Sequence, residues 1–142
     1  MKALTGREAS IFACFTDAVV APEPVLPPVR ETDAVSSFDD WMSRSPRFNR
    51  LGMRALLYVL ELSPLLTGSR ARLRRLDRAG RARWVAAIEH AGRSDLRLLF
   101  KLMKSAAQLS YWGDDQLMLE VGYDADANVS RGRELRAREG RP

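Results

Sequence analysis

Ser94-Asp95-Leu96-Arg97-Leu98-Leu99-Phe100-Lys101-Leu102-Met103-Lys104-Ser105-Ala106-Ala107-Gln108-Leu109 decides the fold class. Ser94-Asp95 is a helix start, and Leu98, Leu99, Leu102, Met103, Ala106 and Leu109 then recur three and four residues apart, the longest apolar face in the chain. The same period governs the rest of the sequence, and no alternating strand-like run longer than a few residues interrupts it. The expected fold is all-α: a single compact bundle of about five to seven helices.

Working towards the N-terminus, Asp77 is placed to cap a helix in which Trp84, Val85 and Ile88 face inward, closed by Gly92. Before it, Arg70 to Leu76 reads as a short helix and Leu65-Leu66-Thr67-Gly68 as a turn. Ser45-Pro46 starts a helix presenting Leu51, Ala55, Tyr58, Val59 and Leu62, which stops near Pro64. Thr32 is an N-cap for a helix with Val35, Phe38, Trp41 and Met42 inward. The first helix runs from Gly6 to Val20, with a Thr5/Glu8 capping box and an apolar stripe of Ile11, Phe12, Phe15, Val19 and Val20. Pro22-Glu23-Pro24-Val25-Leu26-Pro27-Pro28 cannot be helical, because proline lacks the backbone donor, and is expected to be extended.

Towards the C-terminus, Tyr111-Trp112-Gly113-Asp114-Asp115 and Val121-Gly122-Tyr123-Asp124 bracket one short helix, with Asp114 or Asp115 as cap, Leu117, Met118 and Val121 inward and Gly122 ending it. From Ala125 onward apolar residues nearly vanish and charges alternate, so 4–124 is expected to be the helical domain and 125–142 a flexible, disordered charged tail.

With 142 residues, the chain is long enough for one real core. A single cysteine, Cys14, forbids an internal disulfide, and it reads as core packing. His90 is the only histidine; Asp39-Asp40 reads as a surface pair. No phosphate-cradling glycine loop, nucleophile elbow or metal-ligand spacing is present, so no catalytic, cofactor-binding or metal residue is assigned and the chain is not expected to be an enzyme. Neither a signal peptide nor a transmembrane segment is visible, making the cytoplasm the expected location. The net charge is +5, and Arg70, Arg72, Arg74, Arg75, Arg78, Arg81 and Arg83 form a basic patch opposed only by Asp77. One functional reading is therefore a basic helical nucleic-acid-binding module using Arg70 to Arg83. Helical spacing opposes it, since these arginines cannot share one face.

The order Leu4-Thr5-Gly6-Arg7-Glu8, Asp17-Ala18-Val19-Val20-Ala21-Pro22, an amphipathic helix pair, Tyr111-Trp112-Gly113-Asp114 and Val121-Gly122-Tyr123-Asp124 resembles the gluconate 2-dehydrogenase subunit 3 family, the small subunit of flavin-dependent sugar and alcohol dehydrogenases, over roughly Leu4 to Asp124. The resemblance implies a non-catalytic, chaperone-like small subunit that binds and stabilises or matures a large glucose-methanol-choline (GMC) type oxidoreductase subunit in a hetero-oligomer. FAD is then expected in the partner and no cofactor in this chain. The residues matching the family motifs are Asp17, Pro22, Tyr111, Trp112, Gly113, Asp114, Gly122, Tyr123 and Asp124. The implied interface or interface-supporting residues are Pro22, Pro27, Pro28, Tyr111, Trp112, Tyr123 and Asp124. Many relatives carry a twin-arginine leader that this chain lacks, so export is expected only alongside a signal-bearing partner.

Overall fold

In the computed structural model, residues 1–20, 26–90, 92 and 94–140 are described, and they include seven α-helices and two short 3₁₀ turns. The helices are α1 (Gly6–Val20), α2 (Ala34–Arg44), α3 (Arg47–Leu66), α4 (Arg78–Glu89), α5 (Ser94–Trp112), α6 (Asp115–Glu120) and α7 (Ala125–Arg138). The 3₁₀ turns are Val29–Glu31 before α2 and Leu73–Arg75 before α4. Pro22 and most of the proline-rich connection lie outside the described residues.

Helix α1 is the hub, with α2, α3, α4 and α5 all packed on it. Its Thr5/Glu8 capping box closes as expected: the Thr5 N–H donates to Glu8 Oε2 at 2.7 Å and the Glu8 N–H to Thr5 Oγ1 at 3.3 Å. Ile11, Phe12 and Phe15 are completely buried. Phe12 stacks on Phe38 with centroids 3.9 Å apart, while Phe15, Trp84 and Phe100 form an edge-to-face triangle at 5.7, 5.8 and 6.1 Å. Emptying one of these positions to alanine costs about 3–5 kcal/mol, because lost transfer energy and a residual cavity add.

Asp39, read from the sequence as a surface residue, is buried. Its Oδ2 accepts the Lys2 N–H at 2.6 Å and its Oδ1 the N–H groups of Ala3 and Leu4 at 3.0 and 2.7 Å. A carboxylate tolerates burial when backbone donors replace its water. It therefore ties the chain ahead of α1 onto α2. Asp40 does lie at the surface, paired with Lys2 at 2.8 Å.

The faces of α3 and α5 differ from expectation. On α3 the inward residues are Leu56, Leu57, Leu60, Glu61, Ser63 and Pro64, whereas Leu51, Val59 and Leu62 point to solvent. The reason is long-range pairing. Glu61 is buried because Arg74 Nε meets its Oε1 at 3.0 Å, and Ser63 because Trp84 Nε1 donates to its Oγ at 3.0 Å. Helix α3 also runs through Pro64 to Leu66. Pro64 has no N–H for the Leu60 carbonyl, and Ser63 Oγ supplies that bond instead at 2.9 Å. On α5 the core takes Leu96, Phe100, Met103, Ala107 and Tyr111; of the expected face only Met103 is buried. Trp41 and Val121, expected inward, are exposed, Trp41 stacking over Phe38 at 5.8 Å.

Other starts are close to expectation. Asp77 caps α4, accepting from the Gly80 N–H at 2.7 Å. Asp33 rather than Thr32 stands at the N-cap of α2, and Pro46 rather than Ser45 at that of α3. In the stretch expected to be a flexible tail, Asp124 caps α7, whose alanine, arginine, glutamate and leucine content favours helix; none of its residues is buried, so it adds nothing to the core.

Candidate interaction surface

Groups able to do chemistry are dispersed. Cys14 is half-buried, with Arg81 Nη2 at 3.6 Å from Sγ; burial pushes its thiol pKa up, against the opposing pull of Arg81. His90 sits exposed at the C-terminal end of α4. Among the described residues no three His, Cys, Asp or Glu side chains converge in a way that could hold a metal ion.

The aromatic motif near the C-terminus has two different parts. Tyr111 is fully buried against Val29, Ala34 and Leu117, and its hydroxyl donates to the Pro27 carbonyl at 2.7 Å. Burial raises its pKa, with Asp114 and Glu120 adding to the effect. Tyr111 therefore fastens the proline-rich connection to α5, and no side-chain surface is left for a partner. Trp112 packs edge-on against it at 5.2 Å and stays more than a third exposed, as does Tyr123. Pro27 and Pro28 are half-buried, and Pro22 lies outside the described residues.

The acidic and glycine residues of the motif are architectural. Asp114 Oδ1 accepts the N–H groups of Gln116 and Leu117 at 2.9 and 3.1 Å, and its Oδ2 accepts the Asp33 N–H at 2.8 Å. It thus caps α6 and braces the start of α2 at once. The Asp33 N–H bond is the main reason its pKa lies below the ordinary carboxylate value; burial opposes it, and the Leu117 and Gln116 N–H groups add to the lowering. Gly113 has no room for a side chain, since a Cβ there would stand 2.7 Å from the Leu109 carbonyl oxygen. Gly122 ends α6 at φ +79°, where the Tyr123 N–H returns to the Met118 carbonyl at 2.8 Å. Asp124 is exposed and serves as the α7 cap.

A surface row along α5 joins this motif. Leu98, Leu102, Ser105, Leu109 and Trp112 are spaced four, three, four and three residues apart, and all are exposed, Leu98 at 60% and Leu109 at 76%. Such four-three spacing is one that a facing helix can interdigitate with, each side chain fitting between side chains opposite. A shallow cavity of about 470 Å³ lies along it, lined by Ser105, Gln108, Leu109, Trp112 and Gly113. The sequence placed Leu98, Leu102 and Leu109 in the core. Two apolar faces on one helix look alike until the tertiary pairing chooses between them.

The arginine patch divides. Arg74 is engaged with Glu61, and Arg81 with Asp17 at 2.8 Å, so both hold the fold together. Arg70, Arg72, Arg75, Arg78 and Arg83 are exposed, spread over an irregular loop, a 3₁₀ turn and α4. No single helix presents them for groove binding.

The chain is thus an all-helical bundle with a capped C-terminal motif and an uncovered helical seam. Comparison with protein families, with curated proteins and with solved structures gave no match.

Proposed function

We propose that this protein is a non-catalytic small subunit whose α5 seam receives a helix of a larger partner chain, the partner being a large FAD-dependent subunit of the GMC type. The observation that carries the reading is the uncovered row of Leu98, Leu102, Leu109 and Trp112, apolar but for the small Ser105 at its middle. An apolar stripe at heptad spacing exposed on a small bundle is the mark of a surface completed by another chain. Tyr111, Gly113 and Asp114 support it from beneath by fixing the end of α5 against α6 and the Pro27 connection. The flavoprotein identity of the partner comes from the motif resemblance. The nucleic-acid alternative is weakened by the ion pairs of Arg74 and Arg81, which engage two of its seven cations within the fold.

Co-expression with a large GMC-type subunit tests this. The expected result is co-purification of both chains and a higher FAD content per large subunit than when that subunit is made alone. An unchanged FAD content with no co-purification refutes it.

A further inference from the structure

A second uncovered face lies on α3, and its chemistry differs from that of the α5 seam. Phe48, Leu51, Ala55, Val59, Leu62 and Leu66 follow one another at helical spacing along its outer side, and all are exposed, Phe48 at 86%, Leu51 at 69% and Leu66 at 70%. No polar side chain interrupts this row over a helix that spans about 30 Å.

Cations stand at both ends. Near Phe48, a cavity of about 290 Å³ is lined by Lys2, Ala3, Arg47, Arg50, Leu51 and Arg54. Lys2 is paired with Asp40 and Arg54 with Glu8, and the Arg54 guanidinium also donates to the Ala3 carbonyl. Arg47 and Arg50 make no ion pair among the described residues. At the C-terminal end, Leu65 shares a cavity of about 370 Å³ with Arg70, Ala71, Arg72 and Arg75. From Arg47 to Leu76 the only carboxylate in the sequence is Glu61, and it is buried and held by Arg74. Apart from the uncharged Asn49, the exposed side chains of α3 are therefore apolar or positive.

We propose that the outer face of α3 is a monotopic docking surface for an anionic phospholipid bilayer, with the apolar row seated at the headgroup–acyl boundary and the two arginine clusters on lipid phosphates. A helix lying in the interface plane needs one unbroken apolar face and flanking cations, and its binding scales with buried apolar area plus attraction to anionic lipid. Guanidinium groups match phosphate oxygens with paired donors. Nucleic acid fits the face less well, because a row of aliphatic side chains would lie against phosphates and only Phe48 could stack on a base. No helix among the described residues is long and apolar enough to cross a membrane, so this contact is peripheral.

The test is co-sedimentation of the full chain with vesicles of phosphatidylcholine alone and of phosphatidylcholine with about 30% phosphatidylglycerol. The expected partition coefficient is about tenfold or more higher on the anionic vesicles, falls as salt rises from about 0.1 to 1 M, and drops about tenfold in Leu51→Ser/Leu62→Ser and in Arg47→Glu/Arg50→Glu. These side chains lie outside the core, and circular dichroism checks that the variants remain folded. Independently, a tryptophan introduced as Phe48→Trp should be quenched by brominated acyl chains. No preference for anionic vesicles, or absence of quenching, overturns the proposal. So does binding to duplex DNA or an acidic peptide that matches the vesicles and ignores Leu51→Ser/Leu62→Ser, which would mark simple attraction to a polyanion or an acidic protein surface. The α5 seam is untouched by these variants, so failure here leaves the subunit reading standing.

Discussion

The hydroxyl of Tyr111, completely buried on α5, donates a 2.7 Å hydrogen bond to the carbonyl of Pro27, closing a contact between residues 84 positions apart. Tyr111→Phe keeps the ring and removes the bond, leaving the carbonyl without its partner. The expected loss is about 1–2 kcal/mol in urea unfolding, with the slope unchanged. Tyr111→Ala, which also opens a cavity, should cost about 3–5 kcal/mol.

Burial works against the Asp39 carboxylate, but three backbone N–H groups hold it and the amino-terminal charge helps, so its pKa lies below the ordinary carboxylate value. Asp114 is shifted the same way, first by the Asp33 N–H. A group whose pKa is lower in the folded state stabilises fully above the unfolded value of about 3.9, and the contribution fades as pH falls through the folded value. Stability should therefore decline below about pH 4. Asp39→Asn should flatten that decline and lower the plateau near neutral pH, as read from melting temperature against pH. An unaltered acid limb in Asp39→Asn would show that the N-terminal tie does not form.

The path Trp84 Nε1 to Ser63 Oγ to the Leu60 carbonyl repairs the gap left by Pro64. Ser63→Ala strands both a buried indole donor and a carbonyl, and should cost about 1–3 kcal/mol. Restoring an N–H by Pro64→Ala in the Ser63→Ala background should recover part of that loss, giving a double-mutant coupling above about 0.5 kcal/mol. Strict additivity would contradict the described path.

Gly113 meets the Leu109 carbonyl oxygen so closely that Gly113→Ala must shift the backbone joining α5 to α6. Thermal unfolding should fall by several degrees, and Trp112 emission should change because its perch on Tyr111 moves. Truncation after Asp124 should leave stability within about 0.5 kcal/mol, since no residue of α7 is buried.

What was legible in the sequence was local. The Thr5/Glu8 box, the Asp77 and Asp114 caps and the Gly122 stop act within one turn of chain, and each is in place. The inward faces of α3 and α5 were not legible. Both helices are apolar on two sides, and the choice is made by groups far apart in sequence: Glu61 is drawn in by Arg74 and Ser63 by Trp84, while Phe100 joins Phe15. A rule that turns polar residues outward puts Glu61 and Ser63 on the wrong side. Buried Asp39 escaped for the same reason, its three donors lying more than thirty residues away. In the candidate site, Tyr111 and Trp112 were singled out together, yet one is a fastener within the fold and the other stands at the surface. The α5 seam itself was visible as an apolar stripe and was assigned to the core.

The most direct measurement is retention of a large GMC-type flavoprotein subunit by this chain, native and as Leu102→Asp/Leu109→Asp. Both positions are exposed on α5, so the substitutions leave the core intact. The expected result is a stable complex with the native chain and at least about a tenfold weaker one with the variant, as for loss of central apolar anchors. Equal retention of the flavoprotein by both chains, or by neither, would contradict the seam as its docking site.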